Sequence, residues 1–588
     1  DEGMIRSDVP QFGGMYYLDA NKPINEDLKA RGLLYQETPF VHSVPTCWRC
    51  HTRLYYAPQD AWFVNIQDMK EKLKKTNELI NWFPSHFKYG RFLKSMEHAP
   101  DWNISRSRYW GSPVPVWECE CGKRYVPGSI AELEALSGEK ITDLHKPEID
   151  EVTIKCENCG EFARRVPEVL DSWIEAGSAS FAERHFPFNT KEKLEDFFPP
   201  DFIVEYTGQI RAWFYVLHVI GTALFDSPAF KNVVVTGVIL GTDGRKMSKN
   251  YGNYPDPKEL LQKYGGDALR LYLLSTPVMH GEDIIISEEQ YRNQVRGFLL
   301  ILWNIYNYFV TYANENGFDP KTMSGEKSEN VLDRWILSLT HSLNKKLASA
   351  IENYDTVTTV DVAKKFIDEF STWYIRRSRD RISAVAENEE DKKAFFETTY
   401  TVLITLCKLL APLTPFITEE MYRNLTGEES VHLTYWPEID ETLIDEKLEN
   451  EMMHARKVVE MAHAQRKDAG LKLRQPLAGL SAVVPLGLSD DVQKVIADEV
   501  NVKTVQIKLG EELSVSIDTV ITPELAEEGD ARSIARQIQE ERKKLGTTMS
   551  EQVDVTLTSW PKAFEGYIKK KALVRTVKQG ETFLVERV

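Results

Sequence analysis

The sequence has little of what a membrane protein needs. Its most apolar stretch, residues 298–310, is interrupted by Asn304 and Asn307 and is too short and too polar to span a bilayer. Positive charge is not in excess: 72 Lys and Arg stand against 89 Asp and Glu, a net charge of -17. That excludes a protein that coats nucleic acid indiscriminately, because phosphate binding needs positive potential. The opening Asp1-Glu-Gly-Met-Ile-Arg is polar and no initiator methionine is present, so no signal peptide, a fragment or processed form, and a cytoplasmic setting are expected. No low-complexity run or internal repeat is evident. Cysteine is sparse, seven in 588 residues, which does not fit a disulfide-built scaffold.

What is present is more specific. A chain of this length implies three to five domains at about 150 residues each. Six of the seven cysteines fall in close pairs, Cys47/Cys50, Cys119/Cys121 and Cys156/Cys159. In a large chain without a secretion signal this points to metal. Cys119, Cys121, Cys156 and Cys159 make a full tetrahedral set for a structural zinc ribbon, each pair followed by a glycine, Gly122 or Gly160. Reduced, metal-free thiols are the bland alternative. Cys47 and Cys50 supply only two ligands, which His42 or His51 could supplement; a second half is not visible nearby. Cys407 reads as a buried small hydrophobe. Basic clusters occur at Arg376–Arg381, Lys472–Arg474, Arg542–Lys544 and Lys569–Lys571. Each is either a solvated helix face or a local RNA contact.

Residues 1–40 read as a small α/β piece, strand-like at Gly13–Leu18 and helical from Asn25 to Leu34. The segment Asp101-Trp-Asn-Ile-Ser-Arg-Ser-Arg-Tyr-Trp-Gly111 interleaves arginines with aromatics, as a base-stacking site or a packed turn would. From residue 200 the pattern is a strand (Phe202–Glu205), a helix (Gln209–Phe225), a strand (Val233–Leu240), a loop and two helices (Pro257–Lys263, Asp267–Leu274). This order implies a parallel sheet with ligands at the carboxyl ends of its strands, where Glu205, Gln209 and the loop all lie. The loop, Gly241-Thr-Asp-Gly-Arg-Lys-Met-Ser-Lys-Asn250, carries Lys246 and Lys249 between glycines and suits a polyphosphate. His218-Val-Ile-Gly221 lies in mid-helix. From Ser287 period-3.6 spacing predicts long helices at about 288–313, 329–353, 357–385, 392–411 and 446–468, with breaks at Pro412 and Pro415. Short alternating segments beyond 470 predict a small α/β domain with one helix, Pro523–Leu545.

Four strings together resemble the isoleucyl-tRNA synthetases, within the class I aminoacyl-tRNA synthetases: Asp101–Gly111, Lys246-Met-Ser-Lys-Asn250, Gly266-Asp-Ala-Leu-Arg270 and Trp373-Tyr-Ile-Arg-Arg-Ser-Arg379. The resemblance implies a multidomain α/β plus α chain. Residues 1–40 would be the tail of an editing insertion and 41–165 a connective region with zinc knuckles. Residues 166–286 would be the C-terminal half of a Rossmann-like catalytic domain, 287–470 a helical anticodon-binding domain and 471–588 a C-terminal α/β domain. The implied substrates are ATP with Mg2+, isoleucine and tRNA(Ile), with Zn2+ as a structural ion and a monomeric state. Lys249, with Lys246 and Ser248, would stabilise the triphosphate. Glu205 and Gln209 would contact the adenylate, and Trp173 and Trp213 would wall the amino-acid pocket. Trp373, Arg376, Arg377 and Arg379 would grip tRNA. The valine and leucine enzymes, or a non-catalytic tRNA-binding relative, are the alternatives.

Two departures stand out. Where the family usually reads Glu-Gly-x-Asp-Gln-x-Arg, this chain reads Glu205-Tyr-Thr-Gly-Gln-Ile-Arg211. The family's second signature, His-x-Gly-His, does not occur at all. The resemblance therefore implies the C-terminal portion of a longer enzyme, whose upstream half holds that signature, the editing site and a cysteine pair completing the site of Cys47 and Cys50.

Overall fold

In the computed structural model, residues 3–47, 50–56, 58–189 and 191–588 are described. They divide into two compact units. The first comprises Asp1–Ile80, Gly90–Pro200 and Ile210–Lys231, and the second Asn81–Tyr89, Asp201–Gln209 and Asn232–Val588. Among the described residues no helix is long and apolar enough to cross a membrane.

In the first unit, Gly13–Leu18 forms turns with one isolated bridge, Met4 to Tyr16, in place of the expected strand. Gly13 explains this: a Cβ there would lie 2.7 Å from the Ser7 carbonyl, so the chain folds back on itself. The helix that follows begins earlier than its sequence pattern predicts, Asn21–Ala30. A four-stranded antiparallel sheet, Arg124–Tyr125, Trp117–Glu118, Phe162–Arg165 and Thr153–Lys155 in spatial order, carries the paired cysteines at its turns. Beside it, helices Ser172–Ala182 and Trp213–Phe225 pack closely enough that a Cβ on Gly177 would lie 2.6 Å from Ile220. The second of these starts at Trp213 rather than Gln209, because Thr207–Arg211 forms a separate 3-10 turn.

The second unit opens with a parallel sheet of order Phe202–Tyr206, Asn232–Thr236, Asn81–Phe83. The third strand comes from before the cysteine module and was invisible in sequence, a three-residue stretch ending at Phe83, just before Pro84. The expected strand Val233–Leu240 is two strands, Asn232–Thr236 and Ile239–Leu240, the latter paired with Ile284–Ile285. Gly237 makes the break. Its N–H donates to Val278 O at 2.7 Å, and a Cβ there would lie 1.9 Å from Glu282 O, so only glycine fits.

The helical bundle has its long helices at Leu300–Glu315, Val331–Glu352, Thr356–Glu369, Glu389–Leu410 and Glu446–Asp468. The expected helix 357–385 breaks into a π turn, Phe370–Ile375, and a 3-10 turn, Arg379–Ile382. Buried Asp333 is the cause: it accepts from Tyr374 Oη at 2.7 Å and from both terminal nitrogens of Arg381 at 2.7 Å. A charge with those donors holds the local winding. Pro415 does not end a helix but begins one, Pro415–Thr426, closed by Gly427 at φ +74°. Its first free N–H groups are capped by Asp267, which accepts from Phe416 N at 3.2 Å and Ile417 N at 2.8 Å. Arg270 donates to the Pro412 carbonyl at 2.7 Å. The Gly-Asp-Ala-Leu-Arg string is thus a stitch from the sheet region to the bundle.

The C-terminal region contains an internal repeat that sequence inspection missed. Helix Glu446–Asp468 leads into strand Leu477–Val484, helix Asp490–Val500 and strands Val502–Leu509 and Ser514–Ile517. Helix Pro523–Lys544 leads into strand Val553–Leu557, helix Glu565–Ala572 and strands Val574–Gln579 and Leu584–Arg587. In each, the first strand is central, with a parallel partner on one side and an antiparallel one on the other. Buried Arg466 donates to the carbonyls of Lys472, Gln475 and Asn501; buried Arg542 donates to those of Thr548 and Glu551. Gly470 and Gly546 end the leading helices at φ +67° and +66°. The shared string is only Arg-Lys-x-x-Gly, which is why the repeat escapes sequence inspection.

Candidate active site and cysteine centre

The parallel register pairs Glu205 with Val235 and Tyr206 with Thr236, so both strands end at one edge. Glu205 is exposed there, its carboxylate accepting from Tyr206 N at 3.0 Å. Gln209 follows in the 3-10 turn. The lysine loop emerges from Ile239–Leu240 and is folded by a residue that the sequence pattern did not single out. Asn253, only 7% exposed, donates through Nδ2 to Asp243 at 2.9 Å and to Lys246 O at 3.2 Å. Its Oδ1 accepts from Ser248 N at 3.0 Å. A Cβ on Gly241 would lie 2.4 Å from Asn253, so the glycine admits the amide. Hydrogen bonds from Asn253 and then from Arg245 hold the Asp243 carboxyl down at about 2. The only sequence signal for Asn253 was its place in a Gly- and Pro-rich segment.

Lys246 is exposed, its Nζ 5.6 Å from the centre of the Tyr206 ring. Lys249 is exposed and makes no ion pair among the described residues. Ser248 Oγ accepts from Asn250 N at 3.2 Å, which orders the end of the signature. The departure at Gly208 gains a physical reason here: a Cβ would lie 2.4 Å from the Tyr206 ring. The Tyr206 ring occupies the space a side chain at 208 would need.

Trp173 and Trp213 belong to the other unit, and there they come together. Asp171 caps the helix that carries Trp173. Trp213 Nε1 donates to Ala176 O at 3.0 Å, one turn further along. Asp171 also accepts from Trp102 Nε1 at 3.2 Å and Arg106 Nη2 at 2.6 Å. For Trp102 and Arg106 the packed-turn reading of the Asp101–Gly111 string is the one observed. His218 is a core histidine: its Nε2 lies 2.9 Å from Leu73 O, and burial pushes it down to about 4.

The four cysteines expected as one set form one cluster, with all sulfurs within 4.8 Å of one another. Cys119 Sγ lies 3.4 Å from Cys159 Sγ, and Cys121 Sγ 3.7 Å from Cys156 Sγ. Tetrahedral zinc at about 2.3 Å from each sulfur wants sulfurs about 3.8 Å apart, so the donors fit the ion. The two knuckles match: Gly122 and Gly160, at φ +84° and +85°, return their N–H groups to Cys119 O and Cys156 O. Cys47 and Cys50 join no third ligand among the described residues; residues 48 and 49 between them lie outside those described. Thr52, by hydrogen bonding, brings the exposed Cys50 thiol down to about 7.

The bundle separates the four residues expected to touch tRNA. Trp373 packs half-buried against the core. Arg376 pairs with Glu499, and Arg377 lies 3.0 Å from the same carboxylate and 3.8 Å from Asp498. Arg379 is exposed, 5.9 Å from the centre of the Tyr308 ring. Cys407 is buried as expected, its thiol pushed up to about 12 by burial.

Residues 21–285 match the family described as tRNA synthetases class I (I, L, M and V), and residues 333–483 match the anticodon-binding domain of tRNA ligase. Isoleucine–tRNA ligase of Treponema denticola is 41% identical over 519 residues, covering 85% of this chain and 47% of the relative. That of Chlamydia abortus is 39% identical over 565 residues, covering 95% and 54%. That of Clostridium novyi is 41% identical over 541 residues, covering 90% and 51%. The chain spans about half the length of the curated relatives it matches.

Proposed function

The chain belongs to the class I tRNA synthetase family, and from that premise we propose that it is the part of an isoleucine–tRNA ligase that carries the lysine signature. The observation that carries this reading is identity of about 40% to isoleucine–tRNA ligases over 85–95% of the chain. In the reaction an isoleucine carboxylate oxygen attacks the α-phosphorus of ATP. The bond to the β-phosphate bridge breaks, pyrophosphate leaves, and the acyl group then passes to the terminal ribose hydroxyl of tRNA(Ile). Side chains need only position groups and stabilise charge. Lys249, without an ion pair among the described residues, meets the leaving pyrophosphate, while Lys246 lies near the Tyr206 ring and Ser248 orders the signature. Glu205 and Gln209 take the adenosine side at the strand edge. Trp173 and Trp213 wall the amino-acid pocket. Magnesium arrives with ATP as its counter-ion. Trp373, Arg376, Arg377 and Arg379 contribute to tRNA binding from separate places on the bundle, Arg376 and Arg377 while paired with Glu499.

The domain plan follows: an editing tail over 1–40, a connective region with zinc knuckles over 41–165, catalytic sequence over 166–286, an anticodon-binding bundle over 287–470 and the C-terminal pair of repeats. The cysteine cluster is a closed structural zinc site, Cys119, Cys121, Cys156 and Cys159 ligating. Cys47 and Cys50 are half of another site. The enzyme is a cytoplasmic monomer, and a His-x-Gly-His half from outside these 588 residues completes it.

ATP–pyrophosphate exchange with isoleucine, valine and leucine, using this chain joined to such a half, tests the activity. Isoleucine should be preferred and Lys249→Ala should abolish exchange; a preference for valine or leucine overturns the reading. These residues alone should give no exchange. Metal analysis of the purified chain should find about one zinc, lost in Cys156→Ser; no zinc would refute the ribbon.

A further inference from the structure

Three cations stand in the signature loop, and each has a different setting. Arg245 is engaged inside the loop: it pairs with Asp243 at 2.7 Å, and its guanidinium lies 4.6 Å from the centre of the Tyr251 ring. Lys249 is exposed and makes no ion pair among the described residues. Lys246 lies near a ring that comes from another segment of the chain, Tyr206. The hydrogen bonds that shape the loop join Asn253 to Asp243, Lys246 and Ser248, and Gly241 N to Arg245 O at 2.7 Å. All are internal to residues 241–253. They fix the shape of the loop; its placement against the strand that carries Glu205 needs a contact from that strand.

Tyr206 supplies that contact. It is the last residue of strand Phe202–Tyr206, next to Glu205 at the carboxyl edge. Its side chain leans forward over the turn that follows: a Cβ on Gly208 would lie 2.4 Å from its Cε2 and 2.6 Å from its hydroxyl oxygen. The backbone at Gly208 is not left-handed, so space rather than conformation suits glycine to this position. An alanine there would push the ring from its place. The ring centre is 5.6 Å from Lys246 Nζ, within the range of a cation–π attraction. An ammonium carries three N–H donors. A ring on one side of it therefore leaves donors for phosphate oxygens on the other.

We propose that Tyr206 is a positioning residue, its ring seating the Lys246 ammonium at the strand edge, and that Gly208 serves this seat by leaving the ring room. The consequence for catalysis rests on the synthetase reading. Lys246 then meets the triphosphate already placed at the edge that carries Glu205, whereas Lys249 has to be brought to it. A chain that reads Glu-Gly-x-Asp at these positions has no ring to offer and no such seat.

Competitive labelling of the whole chain with acetic anhydride, read by mass spectrometry, tests the seat, with Lys249 as the reference amine in the same loop. Tyr206→Leu and Gly208→Ala should each raise labelling of Lys246 relative to Lys249 by about two- to fivefold. Tyr206→Phe, which keeps the ring face, should hold the wild-type ratio. Tyr206→Leu added to Gly208→Ala should change nothing further, because both remove one contact. Should Gly208→Ala disturb the turn, Tyr206→Leu alone decides: an unchanged ratio in that variant, folded by circular dichroism, overturns the seat. In this chain joined to a His-x-Gly-His half, Tyr206→Leu should raise the KM for ATP by about two- to fivefold and leave the KM for isoleucine alone, and Tyr206→Phe should recover most of the loss. A changed labelling ratio with an unchanged KM for ATP overturns the positioning role. Absence of exchange in the joined wild type counts instead against the synthetase reading, and the labelling ratio still decides the seat.

Discussion

The two C-terminal repeats share a plan and differ in attachment. Both place a buried arginine at the end of the leading helix, where it satisfies carbonyls of the turn into the central strand. The first binds three carbonyls and shares its hydrophobic core with the bundle; the second binds two and keeps its own. One fold thus serves as an extension of a core in one place and as a module fastened by polar contacts in the other. The lesson is that burial across a junction, rather than the architecture of the module, decides whether two domains behave as one.

The arginines give the largest expected effect. Arg466→Ala leaves three buried carbonyls without a charged donor and should cost about 3–5 kcal/mol, spreading to the bundle; Arg542→Ala should cost about 2–3 kcal/mol, confined to residues 523–588. Urea unfolding combined with hydrogen exchange separates the two, and equal spreading would break the comparison. Next come the cores. Ile496→Ala and Ile538→Ala, both fully buried, should each cost about 2–4 kcal/mol. Only the first should speed exchange in Glu446–Asp468.

Acid sharpens the junction of the first repeat. Burial alone would raise the Glu499 carboxyl, but hydrogen bonds from His463 and Arg376 and the charges of Arg376 and Arg377 outweigh it and hold it below the usual range. Its folded value is lower than its unfolded one of about 4.3. Its contribution is therefore complete above that pH and fades as pH falls through the folded value. Exchange at the Arg376–Glu499 junction should quicken severalfold between about pH 5 and pH 3, and Glu499→Gln should flatten that dependence. The smallest effect is expected from salt. The pairs at Lys570 and Lys571 are exposed and contribute little to stability. Raising salt should loosen the second repeat slightly and leave the first unchanged, as read by proteolysis of the linker after Ile517.

Local patterns carried much of this protein. The Lys-Met-Ser-Lys loop, the cysteine set at Cys119, Cys121, Cys156 and Cys159, the helical texture after Ser287 and the mid-helix place of His218 all follow from residue type and spacing over a few residues. What depends on distant partners was hidden. Residues 81–83 become a strand only because Asn232–Thr236 lies beside them. Pro415 begins a helix only because Asp267 caps it from another element. Asn253 looked like loop polarity until Gly241 and Asp243 closed around its amide.

The sequence by itself therefore determined the family and which four cysteines come together, because each is written in short range as residue identity and spacing. Only the tertiary structure decided that two segments sharing little more than Arg-Lys-x-x-Gly repeat one fold, that Arg376 and Arg377 pair with Glu499, and that the Tyr206 ring lies against Gly208. Those facts rest on burial and on hydrogen bonds between residues far apart in the chain, which no local pattern records.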